Sequence, residues 1–196
     1  EFRRVLFRSQ GFLARQRDWL RVRLRTGASP TPFQPGETVP VRGIPHRIEA
    51  SGRVRGHVEI DAGTDMPVLR VPGAPEHLPR RLSDWLKSEA QRDLTDRSFV
   101  HAETLGVSVK AVTMRAQSTR WGSCSSTGRL SYNWRLVIAP PYVLDYVAAH
   151  EVAHLVHMNH SPAFWKTVER ALPDMHKGRA WLKTHGKALM GYGRDD

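Results

Sequence analysis

The stretch from Pro140 to Asn159 constrains this chain more than any other. Pro140-Pro141 opens a helix, because proline is tolerated in a first turn whose N–H groups lack partners anyway. Tyr142–Met158 is then apolar on nearly every side, with Val143, Leu144, Val147, Ala148, Ala149, Val152, Ala153, Leu155 and Val156. A helix apolar all round is a buried one, so the rest of the chain must wrap it. Three polar side chains nevertheless stand inside it, in the run His150-Glu151-Val152-Ala153-His154. A buried His or Glu without a partner costs about 1–3 kcal/mol or more. Positions i and i+4 share a helix face, so both imidazoles can bind one Zn2+, which removes that cost. Glu151 lies beside them, placed to take a proton from metal-bound water. The competing reading is a pair of hydrogen-bonded core histidines.

A catalytic zinc site needs a third protein ligand and an open position. Three residues are candidates. His157 continues the face of His150 but lies a further turn along an unbroken helix. His160 reaches the metal if the helix ends near Met158-Asn159 and the chain turns back, a turn that Asn can make in the left-handed conformation. Glu169 offers a carboxylate from the following helix. The order of preference is His160, then Glu169, then His157.

Length and composition narrow the class. At 196 residues and 22.2 kDa the chain supports one sizeable core or two small ones. No apolar run reaches the length of a membrane span. The lone Cys124 excludes an internal disulfide framework and a multi-cysteine metal cluster, and it suits a reducing, cytoplasmic setting. Residues 1–9, Glu-Phe-Arg-Arg-Val-Leu-Phe-Arg-Ser, are what the sequencing-adapter string GAG TTC AGA CGT GTG CTC TTC CGA TCT encodes in frame. They are set aside as an artefact. The expectation is that the natural N-terminus, with any signal or strand on it, is missing. Without their three Arg and one Glu, the net charge of +11 becomes +9. That excess suits nucleic acid, nucleotides or an acidic membrane face. Its scatter, with no block of five or six like charges, fits equally well an Arg-rich composition with no such partner.

Along the chain, residues 10–29 hold an amphipathic helix built on Phe12, Leu13, Trp19, Leu20 and Leu24. Residues 30–76 form a β-rich segment entered through a Pro-rich connector, with runs at Thr38–Val41, His46–Glu49, Val54–Ile60 and Val68–Val71. Residues 77–196 carry the chemistry. Leu78, Leu82, Trp85, Leu86, Ala90 and Leu94 mark a long helix that ends between Asp96 and Gly106. Val107–Ala116 reads as a strand, and Leu130, Tyr132, Trp134 and Leu136 alternate as a second, with Ser125–Gly128 as a turn between them. Ser161-Pro162 starts a helix that stops before Pro173, and Asp174 caps a last one.

Longer motifs surround the metal run. They are Arg120-Trp121-Gly122-Ser123-Cys124-Ser125, Asn133-Trp134-Arg135-Leu136, Ala139-Pro140, Tyr146–Leu155 and Met158-Asn159-His160-Ser161-Pro162-Ala163-Phe164-Trp165. With them the stretch from Thr119 to Trp165 resembles the YgjP-like metal-dependent hydrolases, a zincin-type metallopeptidase family. Weaker similarity runs through Trp181-Leu182-Lys183 and His185-Gly186, and upstream through Phe33–Gly43 and Leu78–Leu94. The resemblance implies a small α+β zincin-like core with the active-site helix packed on a short mixed or antiparallel sheet. It implies His150, His154 and His160 on zinc and Glu151 as general base. The SprT-like proteases are more distantly similar, but the Trp-Gly-Ser-Cys run departs from them.

In zincin-like folds an edge strand beside the metal pairs with an extended substrate backbone. The Leu130–Leu136 strand, or the one ending at Cys124, is placed for that. Asn133 and Arg135 share a face and are candidates to orient a substrate oxygen, as is Arg120. The alternative is that Trp121 and Trp134 are core aromatics and Arg135 a structural ion-pair partner. Cys124 reads as a small buried hydrophobe rather than a nucleophile. Three functions remain: a zinc metallopeptidase, a zinc phosphohydrolase acting on nucleotides such as a nucleoside triphosphate pyrophosphatase, and a non-enzymatic nucleic-acid-binding module with a structural metal. The first uses the whole motif. The second suits the basic charge but has no Gly-rich phosphate loop. The third gives Glu151 nothing to do.

Overall fold

The computed structural model describes residues 31–63, 65–117 and 119–193. The amphipathic helix expected over residues 10–29 lies outside them, as do residues 1–9. The architecture is α+β, with two small sheets and four α-helices among the described residues.

The first sheet has the order β1-β2-β4-β3, from Thr38–Val41, Ile44–Ala50, Val68–Val71 and Glu59–Asp61. β1 and β2 are antiparallel and meet at Arg42-Gly43, where φ is 51° and 76°. Two successive positive φ values make the tight turn whose twist matches paired strands. Glycine takes the second position freely. Arg42 accepts the strain because its guanidinium meets Asp93 and Glu89 at 2.7 and 2.8 Å. The run expected over Val54–Ile60 shortens to Glu59–Asp61, and Val54 is exposed. Gly52 and Gly56 both have positive φ, which breaks extended pairing there.

Helix α1, Leu78–Leu105, links this sheet to the half that carries the His150–His154 run. Its buried residues Leu78, Leu82, Leu86, Ala90, Leu94, Ser98 and Ala102 recur every four positions. A step of four overshoots the 3.6-residue turn by about 40°, so the apolar stripe winds around the helix. One end therefore faces β4 and the other faces the second sheet and the helix that carries His150 and Glu151. Gly106 stops α1 in the left-handed conformation, its N–H meeting the carbonyls of Ala102 and Glu103.

The second sheet is mixed, with the order β5-β7-β6. β5 (Ala111–Arg115) is parallel to the central β7 (Arg129–Asn133), and β6 (Gly122–Cys124) is antiparallel to it. The Ser125–Gly128 turn thus joins β6 to β7, not the Val107–Ala116 strand to β7. The strand expected to continue to Leu136 ends at Asn133. There the Asn133 Oδ1 accepts from the Arg135 N–H at 3.1 Å and caps a 3-10 turn over Trp134–Ile138. All five residues of that turn are buried, which a one-faced strand would not achieve.

Helix α2 (Pro141–Ala153) packs against α1, β6, α3 (Pro162–Ala171) and α4 (Met175–Leu189). One continuous core joins Phe33, Val39 and Leu69 to Leu130, Val152, Phe164 and Leu189. Ser161 caps α3 through the Phe164 N–H, whereas Asp174 pairs with Lys177 and makes no cap. At the C-terminal end Thr31 donates its N–H to the Gly191 carbonyl and accepts from the Gly193 N–H.

Candidate metal centre

α2 is buried as its composition demands, but it stops sooner than expected. The last helical residue is Ala153, and His154 is the C-cap. Beyond it the bonding tightens: the Leu155 and Val156 N–H groups reach the carbonyls of Val152 and Ala153, three residues back. The chain then turns toward α3 without a left-handed residue. Asn159 keeps a negative φ, and its side-chain oxygen accepts from the Ser161 N–H. The early stop swings residues 157–160 back over the end of the helix.

This brings three imidazoles together. One ring nitrogen from each of His150, His154 and His160 lies within 4.8 Å of the others. The Nε2 atoms of His150 and His160 are 3.1 Å apart. Two nitrogens on one tetrahedral Zn2+ stand about 3.3 Å apart, given Zn–N bonds of about 2.0–2.1 Å. The His154 Nδ1 faces the His157 carbonyl at 3.0 Å. An N–H donated there fixes the tautomer and leaves Nε2 with its lone pair for a metal. His157 thus contributes its backbone, and its ring is not in the group. Glu169, exposed on α3, is not in it either. Phe164 stacks on His154 at 4.5 Å between centroids and lies 4.9 and 4.8 Å from the rings of His150 and His160. It forms an apolar floor under all three.

The electrostatics suit a cation. Burial, then the neighbouring histidines, pushes His150 down to about 3, so its imidazole is neutral across the ordinary pH range. Burial also lowers His154. The His150 Nδ1 is buried with no hydrogen-bond partner among the described residues. Neutral, converging nitrogens are the donor set that suits zinc.

Glu151 lies against the second sheet. It is buried, and that burial pushes its carboxyl up to about 8, with the Arg120 charge opposing. Its neighbour is Gly122 of β6. A Cβ built on Gly122 would come 2.5 Å from the Glu151 Oε1. A glycine is therefore required for the edge strand to approach the carboxyl. The Arg-Trp-Gly-Ser-Cys run contains this residue, but nothing local marks it as a contact.

The remaining candidates separate. Arg120 is exposed at the entry to β6, near enough to Glu151 for its charge to act on it. Asn133 and Arg135 do not present a shared face to a substrate. Both are buried: Asn133 donates to the Gln117 carbonyl at 2.6 Å, and Arg135 donates to the Tyr192 carbonyl at 2.7 Å while stacking on Trp134. Their polar groups hold the 3-10 turn and the C-terminal segment in place. Burial and the Glu151 charge push the Cys124 thiol up to about 11, which keeps it protonated and a poor nucleophile. β7, as the central strand, has no free edge, whereas β6 does among the described residues.

A family model described as YgjP-like, metallopeptidase domain, matches residues 5–185. No curated protein matches the chain. Among solved structures it is similar to abylysin, the metallopeptidase zymogen of Pyrococcus abyssi. The identity is 22% and the TM-score 0.41, over 46% of this chain and 93% of that one. No helix among the described residues is long and apolar enough to cross a membrane. With the family match running through nearly its whole length, the chain belongs to the YgjP-like family of metallopeptidase domains.

Proposed function

We propose that the chain is a zinc-dependent peptidase on a zincin-like core, with His150, His154 and His160 as ligands and Glu151 as general base. The observation that carries the reading is the convergence of one ring nitrogen from each of His150, His154 and His160. A zinc ion held there would polarise a substrate carbonyl, lower the pKa of a water to about 7 and favour the ionised form of Glu151.

The chain's own residues supply the rest. The Glu151 carboxylate, buried against Gly122, accepts a proton and later returns it to the leaving amine. The open edge of β6 offers backbone groups to an extended peptide, which favours a peptide over a nucleotide. Arg120, at the entry to that edge, is available to a substrate carbonyl oxygen. The His157 carbonyl holds the His154 ring in orientation.

Metal content and turnover test this together. The wild-type chain should carry about one zinc, and the His150→Ala variant none. Glu151→Gln should keep the zinc and lose cleavage of an unstructured protein such as casein. A zinc-loaded chain that releases phosphate from nucleoside triphosphates and leaves peptides intact would overturn the peptidase reading.

A further inference from the structure

Arg179 lies on α4, which approaches α2 more closely than ordinary side chains allow. A Cβ on Gly178 would overlap the Tyr146 Cβ and come 2.8 Å from the Tyr142 carbonyl oxygen. Gly178 is buried, so α4 meets α2 one turn before His150. The next residue is thereby carried to the rim of the imidazole cluster. The Arg179 guanidinium carbon stands 4.2 Å from the ring centre of Trp165. That ring in turn lies 5.7 Å from the ring of His150 and 5.8 Å from that of His160. Arg179 is exposed, and no carboxylate of the described residues pairs with it. Stacking uses the face of a guanidinium and leaves its N–H edge free. A pre-aimed fork of donors is suited to bidentate recognition of a carboxylate.

We infer that Arg179, held by its stack on Trp165 and by the Gly178 contact, forms a carboxylate-binding subsite that directs cleavage to peptides with an acidic group beside the scissile bond. The inference rests on the peptidase reading above and names its substrate class. Arg179 binds and positions the substrate and takes no part in proton transfer.

The test uses the zinc-loaded full chain and paired peptides that differ only in Glu against Gln at each position flanking the bond cut. The wild type should prefer Glu at one position. The ratio of kcat/KM for Glu over Gln should fall by about tenfold or more in Arg179→Ala, the size expected of a charge-assisted hydrogen bond, with the change in KM. Arg179→Lys should restore part of the ratio, and Arg179→Glu should invert it toward Lys-containing peptides. A binding measurement needs no turnover: N-acetyl-glutamate amide, and not its glutamine counterpart, should shift the Trp165 indole N–H resonance in wild type and not in Arg179→Ala. Cleavage that shows the same preference in wild type and Arg179→Glu overturns the inference and leaves the peptidase reading intact. Arg179-dependent probe binding without any peptide cleavage overturns the peptidase reading and leaves the subsite. Absence of both Glu preference and probe binding overturns the subsite.

Discussion

Replacing Glu151 by Gln should change how the stability of the metal-free chain responds to pH. In the fold, burial raises this carboxyl from an ordinary 4.5 to about 8. The folded state therefore holds a proton that the unfolded state has released. Where the folded state binds more protons, stability falls as pH rises. This contribution is fully present below about 4.5 and is lost as pH rises through 8. Between pH 6.5 and 8.0 the unfolded carboxyl is already ionised, while the folded one goes from almost fully protonated to half. Averaged over the window, the difference is about 0.8 proton. At about 1.36 kcal/mol per pH unit, the wild type should lose on the order of 2 kcal/mol across this window. Glutamine does not titrate, so the variant should lose none of this. His150 is common to both proteins and cancels in the comparison. The assay is urea unfolding of chelator-treated wild type and Glu151→Gln at pH 6.5 and 8.0, followed by circular dichroism. An identical pH dependence in the two proteins would refute the argument that burial, outweighing the opposing Arg120 charge, governs this carboxyl.

Other perturbations follow from the same geometry. His160→Ala should bind no zinc by elemental analysis, whereas His157→Ala, which keeps the backbone carbonyl facing His154, should bind about one. Gly122→Ala places a methyl group against the Glu151 carboxyl. It should retain zinc, lower kcat by about tenfold or more through displacement of the base, and cost about 1–3 kcal/mol of stability in denaturant unfolding. Arg42→Ala keeps a positive φ while losing the contacts to Asp93 and Glu89. It should cost about 1–2 kcal/mol in the same assay, and Arg42→Gly should recover part of that. His150 stays neutral in the fold down to about 3, against an ordinary 6.5. The His150 contribution to stability is therefore lost as pH falls below 6.5, so in the same unfolding measurement, as pH falls from 6.5 to 5, the stability of metal-free His150→Ala should rise relative to that of metal-free wild type.

What was legible in the sequence was whatever a single segment determines. The bounds of β1 and β4 follow from alternation between turn residues, and the stripe of α1 from spacing alone. The pairing of His150 with His154 needs only the helical repeat. The rest was hidden because the same local pattern serves two structures. Trp134 and Leu136 alternate as a strand would, yet Asn133 caps a 3-10 turn whose whole circumference is buried. Asn133 and Arg135 read as one exposed face for that reason, and their polar groups are consumed by the fold. The stop of α2 at His154 carries no Gly or Pro to announce it. It depends on tightened bonds and on α3, capped by Ser161, placing Phe164 beneath the rings.

The least legible features are the two glycines that set the width of the site. Gly122 and Gly178 do not have the positive φ that marks a turn glycine. Each is required by what lies opposite, Glu151 in one case and Tyr146 in the other. They act on opposite sides of α2. One admits the edge strand to the buried carboxyl, and the other admits α4 and delivers Arg179 to the imidazoles. Lengthening either side chain should therefore separate functions that the motif on α2 alone would present as one. A methyl group at 122 should disturb proton transfer first, and one at 178 should disturb substrate recognition first. Helical spacing puts the candidate ligands His150 and His154 on one face of α2, but on the proposed reading the approach of β6 to Glu151 and of α4 to Tyr146 determines what the centre is able to act on.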